Sequence, residues 1–177
     1  MDKIWFTSDT HFGEQRTLEL SKRPFATVRE MDIAIMSNWN NVVAKNDTVY
    51  HLGDFGNFDN AQYLNGNIIL ISGNYDDKFT DEEILNSGIK EVIRSDCYGV
   101  IIDWVDIYMS HYPSLAIEQL TYTNSFNLFG HIHKLQMVKR NGLNVGIDCH
   151  NFYPIDFETV MFYRKAIRNF YDEEVFC

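Results

Sequence analysis

The sequence predicts an α/β fold on three observations. Short apolar runs alternate with longer amphipathic stretches, the amphipathic stretches begin with helix-start signals, and several apolar runs end in polar clusters of Asp, Asn, His and Gly. At 177 residues, the chain is long enough for one domain with a substantial core, so residues 1–177 are read as a single domain. No low-complexity linker or internal repeat divides it.

The elements follow in chain order. Strands are predicted over residues 3–7, 48–52, 67–71, 105–109, 126–129 and 143–147, each a short run rich in apolar and β-branched residues. The clearest helix follows Thr27, where Glu30 completes a capping-box pattern and Val28, Met31, Ile35, Trp39 and Val42 recur at helical spacing. A second box, Thr80 with Glu83, opens a shorter helix. Asp156 caps a last helix from Phe157 towards Phe170, with Val160, Tyr163 and Ile167 on one face.

Composition excludes several classes. Hydrophobic residues at 45% and charged residues at 23% are the balance of an ordinary globular chain, not of a disordered or membrane-embedded one. A formal net charge of -10 argues against strong nucleic-acid binding, which needs clustered Lys and Arg to neutralise backbone phosphates. Cys97, Cys149 and Cys177 are odd in number and widely spaced, which fits neither a disulfide framework nor a thiolate zinc site. With no export signal at MDKIWFTSDTH and no apolar run of membrane-spanning length, the expected location is the cytoplasm.

The chemistry sits after the apolar runs. The first is followed by SDTHFG, in which Asp9 and His11 are two apart and point to the same side if the chain stays extended. Gly53 and Asp54 follow the second, and Gly73, Asn74, Tyr75 and Asp76 the third. His111 stands in SHYP, and GHIH places His131 and His133 at the same two-residue spacing. A nitrogen- and oxygen-rich set without cysteine suits manganese, iron, zinc or nickel, and it is too large for one tetrahedral ion. Two divalent ions are therefore expected, with manganese favoured. Two carboxylates and a hydroxide would leave such a centre at roughly +1, able to attract phosphate.

Asp-x-His, Gly-Asp, Gly-Asn-x-Asp, a lone His and Gly-His-x-His, in that order, resemble the signature of the calcineurin-like metallophosphoesterases. The resemblance spans Met1 to about Asp148, and the segments KRPF and NWN are similar to the small single-domain phosphoesterases of bacteria and phages. It implies a four-layer α/β/β/α sandwich of two mixed sheets flanked by helices. It also implies hydrolysis of a phosphorylated small molecule or nucleotide by a hydroxide between two metals; a centre near +1 with few basic residues in the motifs favours a diester or nucleotide-type substrate. Asp9, His11 and His133 would bind the first ion, Asn74, His111 and His131 the second, and Asp54 would bridge them.

The candidate catalytic set is Asp54, Tyr75, Asp76 and His111. Tyr75 departs from the family, which usually has a His there that contacts the scissile phosphate, and Asp76 would orient that side chain. Arg16 and Arg23, with Asn74, are candidates to contact substrate phosphate, the alternative for each arginine being a solvated or helix-packing role. Residues 114–125, between two motifs, are the expected specificity segment. Structural roles are expected for His51, His150 and Cys149, and packing roles for Phe12, Tyr112, Phe152 and Tyr153. The alternative to an enzyme is a catalytically weak metal-binding interaction module of the same fold, a reading that rests on Tyr75.

Overall fold

Two five-stranded mixed sheets form the centre of the protein, as a computed structural model describing residues 2–113 and 124–172 shows. The first sheet contains β1 (Ile4–Thr7), β2 (Thr48–His51), β3 (Asn67–Ile71) and β4 (Glu91–Ile93), all parallel, with β10 (Ile155–Asp156) antiparallel on its other edge. The second runs β5 (Tyr98–Ile102), β6 (Val105–Met109), β7 (Ser125–Phe129), β9 (Gly142–Asn144) and β8 (Val138–Lys139), with β6, β7 and β9 mutually parallel. Nearly all of the expected specificity segment at 114–125 lies outside the described residues.

Strand alternation builds two cores. In β1, Trp5 joins an apolar cluster with Met31, Ile35, Trp39 and Ile84, while its neighbour Phe6 joins Ile107, Leu128 and Val160 on the opposite face. The first cluster seats α1 (Gln15–Leu20), α2 (Val28–Val42) and α3 (Asp81–Asn86) on one side of the first sheet; α4 (Phe157–Phe170) packs at β1, β9 and β10. Trp39 is wholly buried, so its truncation to Ala costs about 3–5 kcal/mol.

The helix starts are largely as the sequence predicts. Thr80 and Glu83 form a complete capping box, and Asp156 accepts the Thr159 N–H at 3.0 Å. At α2, Thr27 accepts the Glu30 N–H at 3.1 Å, but the Glu30 carboxylate reaches past Thr27 to the Ala26 N–H at 2.9 Å. Val42 is exposed, and Val43, just beyond the helix, takes the buried place.

Several elements differ from expectation. α1, with six residues, is too short to show a period and has no side-chain cap. β5 carries Ile101 outward, 73% exposed, on a sheet edge. The strand expected at 143–147 stops at Asn144, because Gly146 leaves β7 to bridge Ser8 of the first sheet and Ile147 enters a 3₁₀ turn.

Candidate metal centre

Parallel pairing brings the ends of β1, β2 and β3 together at one edge, and those of β6 and β7 at the matching edge of the second sheet. Asp9 and His11 follow β1, Asp54 follows β2, Asn74 follows β3, His111 follows β6, and His131 and His133 follow β7. The two-residue spacing does not work through extended backbone. Asp9 (φ 57°), His11 (φ 49°), His131 (φ 70°) and His133 (φ 49°) are left-handed, as is Asp54 (φ 58°). Such backbone is uncommon outside glycine, is tolerated best by Asp, Asn and His, and concentrates at functional sites.

Two donor groups result, each with ligand atoms within 4.8 Å of one another: Asp9, His11 and His133, and Asp54, His111 and His131. Asp54 Oδ2 lies 3.5 Å from His11 Nε2 and 3.4 Å from His111 Nε2, so one oxygen faces both groups. Asn74 Oδ1 is 3.1 Å from His111 Nε2, which is 3.2 Å from His131 Nδ1. Asp9 also accepts the Ser8 hydroxyl at 2.6 Å and the His131 N–H at 3.0 Å, tying the first loop to the GHIH loop.

The imidazoles are aimed by pure acceptors. Glu14 takes the Nδ1 proton of His11 at 2.9 Å, Asp148 that of His133 at 2.7 Å, and the Leu52 carbonyl that of His111 at 2.8 Å. Each contact leaves Nε2 for the centre, the arrangement that metal-binding histidines use. His11 Nε2 is buried without a hydrogen-bond partner, a donor position that a cation would satisfy. These residues therefore fit divalent metal. The sequence reading missed Glu14 and Asp148; the His-x-x-Glu spacing of HFGE was the available signal for the first.

Electrostatics match. Burial pushes Asp54 up, but the His111 hydrogen bond, the Tyr75 N–H and the nearby imidazoles outweigh it and hold the carboxyl below its usual range. Burial likewise opposes a proton on His111, yet the Asp54 hydrogen bond with the Asp9 and Asp54 charges raises it to about 9. His131 moves the opposite way, through burial and the adjacent His111.

Close backbone approach fixes the two middle loops. Gly53 has φ 88°, and a Cβ there would collide with the Gly73 backbone; a Cβ on Gly73 would lie 2.7 Å from Asp54 N. Asp76, fully buried, accepts the N–H groups of Asp54 at 2.8 Å, Phe55 at 3.0 Å and Gly73 at 2.8 Å. Its carboxylate is thus committed to backbone, and the expectation that Asp76 orients the residue at 75 is corrected. The Tyr75 hydroxyl instead accepts Arg16 Nη1 at 3.0 Å, placing exposed Arg16 beside the centre.

Arg23 is a second correction. Its side chain is buried, donating to Asp148 through Nε (3.0 Å) and Nη2 (2.8 Å), and to the carbonyls of Asp9 (2.6 Å) and Thr10 (2.9 Å). It positions the first loop and the Asp148 that aims His133, with nothing left for a phosphate. His51 is buried against Thr10 and held neutral, its pKa lowered by burial to about 3; His150 bonds the Asn144 carbonyl; Cys149 donates to the His133 carbonyl. Phe12 is core, Phe152 packs on Phe25, and Tyr112 lies edge-on to His111 and His131.

Two clefts open from the centre. One, of about 460 Å³, runs past Asn74 and His111 to Asp77, Arg94, Asp96 and Tyr112. The other, of about 400 Å³, has His11, Asp54, His131 and His133 on its floor and Tyr75, Leu20, Ile132 and Leu135 around it.

A two-sheet α/β sandwich with paired Asp/His donor groups at its strand ends defines a metal-binding domain of phosphoesterase type. The calcineurin-like phosphoesterase superfamily domain matches residues 3–147, and the chain belongs to that family. An uncharacterized protein of Methanocaldococcus jannaschii is 30% identical over 179 residues, covering 91% of this chain and 90% of its own. The gene 66 protein of Mycobacterium phage L5 is 27% identical, covering 84% and 88%. The crystal structure of a protein of unknown function from Aquifex aeolicus covers 92% of this chain and 100% of its own at a TM-score of 0.72 and 23% identity, a likeness of fold. No helix among the described residues is long and apolar enough to cross a membrane.

Proposed function

We propose that this phosphoesterase is a two-metal hydrolase acting on phosphodiesters or nucleotide-type esters. One observation carries the reading: Asp54 Oδ2 stands 3.5 and 3.4 Å from the Nε2 atoms of His11 and His111, one from each donor group, where a single carboxylate can serve both ions. Asp9, His11 and His133 would hold one cation, and Asn74, His111 and His131 the other. Two divalent ions, when bound, supply positive charge for the phosphate and a hydroxide nucleophile at neutral pH.

The chain's own residues do the rest. Glu14, Asp148 and the Leu52 carbonyl each accept an Nδ1 proton, so three imidazoles are turned with Nε2 towards the centre. Asp76 fixes the Asp54 and Asn74 loops against each other. Asn74 also faces the first cleft, where its amide NH2 can donate to a phosphate oxygen. The diester preference follows from scarce cations. Arg23 is buried, Arg16 beside the centre is held on the Tyr75 hydroxyl at 3.0 Å, and the cations among the described cleft-lining residues are Lys134 and Arg94, the latter bonded to Asp81 at 2.6 Å and the Phe79 carbonyl at 2.7 Å. A centre of roughly +1 with so little added charge is matched to a singly charged diester better than to a dianionic monoester.

The test is metal analysis with turnover. The manganese-loaded protein should hold about two ions per chain and cleave an aryl diester faster than the matching monoester. Asp54→Ala should abolish cleavage with the fold retained. No bound transition metal after loading, or a large monoester preference, would count against the corresponding half of the proposal.

A further inference from the structure

The two clefts differ in chemistry, and that difference bears on the substrate. Beyond the centre, the first is walled by Asp77, Arg94, Ser95 and Asp96, groups suited to a hydrated substituent. The second has Leu20 from α1 on its wall and Leu135 from the 3₁₀ turn His133–Leu135, with Ile132 and Tyr75 beside them and Thr17, Ser21 and Lys134 as its polar members. Leu20 is 70% exposed and Leu135 86% exposed. Single exposed leucines are ordinary on a protein surface, but here both border one cleft whose floor is the donor set.

The Tyr75 ring extends that apolar border. It stands edge-on to His11, at 87° and 5.1 Å between ring centres, and its hydroxyl is held by Arg16 at 3.0 Å. Lys78 Nζ sits 5.8 Å from its ring centre. The tyrosine is therefore fixed as part of the cleft border on the Arg16 side.

The geometry points to Leu20 and Leu135 as specificity-determining residues that take an apolar, ring-sized substituent of the phosphoester, while the polar cleft takes the other substituent. The inference rests on the phosphoesterase reading above and names its substrate class: an unsymmetrical diester with one apolar arm. The volume agrees, since about 400 Å³ is near the lower end of the range for small-molecule sites and suits one ring or a short chain rather than an oligomer. Covering a leucine side chain that water now wets is worth roughly tenfold or more in affinity.

Phosphinates, which carry the single charge and two arms of a diester but resist hydrolysis, give a binding readout independent of turnover. Calorimetric titration of the manganese-loaded protein with dimethylphosphinate, methyl(phenyl)phosphinate and methyl(octyl)phosphinate should show the phenyl compound binding about tenfold or more tighter than the dimethyl one. In Leu20→Ser/Leu135→Ser, that ratio should fall to about threefold or less. Because both leucines are exposed, thermal unfolding of the variant should match the wild type, separating lost contact from lost fold. A phenyl-to-methyl ratio near one in the wild type, or an undiminished ratio in the folded variant, overturns the proposal. Preference for octyl over phenyl keeps the apolar arm but makes it a chain instead of a ring. If no phosphinate binds, dimethyl included, the reading of a two-metal diester hydrolase fails and takes this inference with it.

Discussion

Asp76 Oδ2 accepts the backbone N–H of Asp54 at 2.8 Å, and the same oxygen accepts that of Gly73 at 2.8 Å. A single atom thus sets the spacing between the loop that carries Asp54 and the loop that carries Asn74. Asp76→Asn keeps the shape but replaces one acceptor oxygen with a donor facing backbone N–H groups. The expected result is a folded protein whose manganese affinity drops about 10–100-fold, read by calorimetric titration. Wild-type affinity in a folded variant would show that the clamp does not matter.

Arg23→Met should act on stability. The substitution leaves the Asp148 carboxylate buried without its guanidinium, a loss worth about 3–5 kcal/mol in unfolding free energy. Urea unfolding of the metal-free protein measures it. A variant with full stability and a raised KM alone would return Arg23 to the substrate.

The two arginines show how far the sequence could be read. Motif order and strand-end placement were enough to gather Asp9, His11, Asp54, Asn74, His111, His131 and His133 at one edge, because those positions depend only on parallel strands ending together. What Arg16 and Arg23 touch depends on packing between distant segments: Arg23 meets Asp148, 125 residues away, and no local period announces that pair. The elements missed were short or at edges, such as α1 and β10, where six and two residues carry too little pattern. Asp76 was misread for a related reason. Its partners are backbone groups, which sequence does not mark.

Acid should destabilise the metal-free protein through Asp148. Burial raises this carboxyl, but its bonds with His133 and Arg23 outweigh that and hold it at about 2 against an ordinary 3.8. A depressed folded-state pKa gives stability that is present above about 3.8 and lost as pH falls from there through about 2. The loss is on the order of 2 kcal/mol. Urea midpoints compared between pH 5 and pH 2.5 should fall less in Asp148→Asn than in the wild type, and equal falls would rule this out.

Tyr75→His restores the usual family residue without restoring its support. Asp76 is bound to backbone, and the group that meets position 75 is the Arg16 guanidinium, whose charge disfavours an imidazolium. A well-placed general acid is worth about 10²–10⁴-fold, so the gain on alkyl esters from Tyr75→His alone should stay below about tenfold. Adding Arg16→Met should enlarge it. Steady-state turnover of alkyl and nitrophenyl diesters decides the matter; a full general-acid gain from the single substitution would place an orienting group elsewhere.

Each donor group draws from both sheets. Asp9 and His11 follow a strand of the first and His133 a strand of the second; Asp54 comes from the first, His111 and His131 from the second. An ion in either group would therefore rivet the two sheets of the sandwich together. Its grip adds roughly 1.4 kcal/mol of resistance to unfolding for each tenfold excess of free metal over the dissociation constant. Stripping the protein with a chelator should thus loosen the seam between the sheets, with faster amide exchange in the strand-end loops of both. Metal supply would then govern how long the molecule survives, in addition to how fast it works.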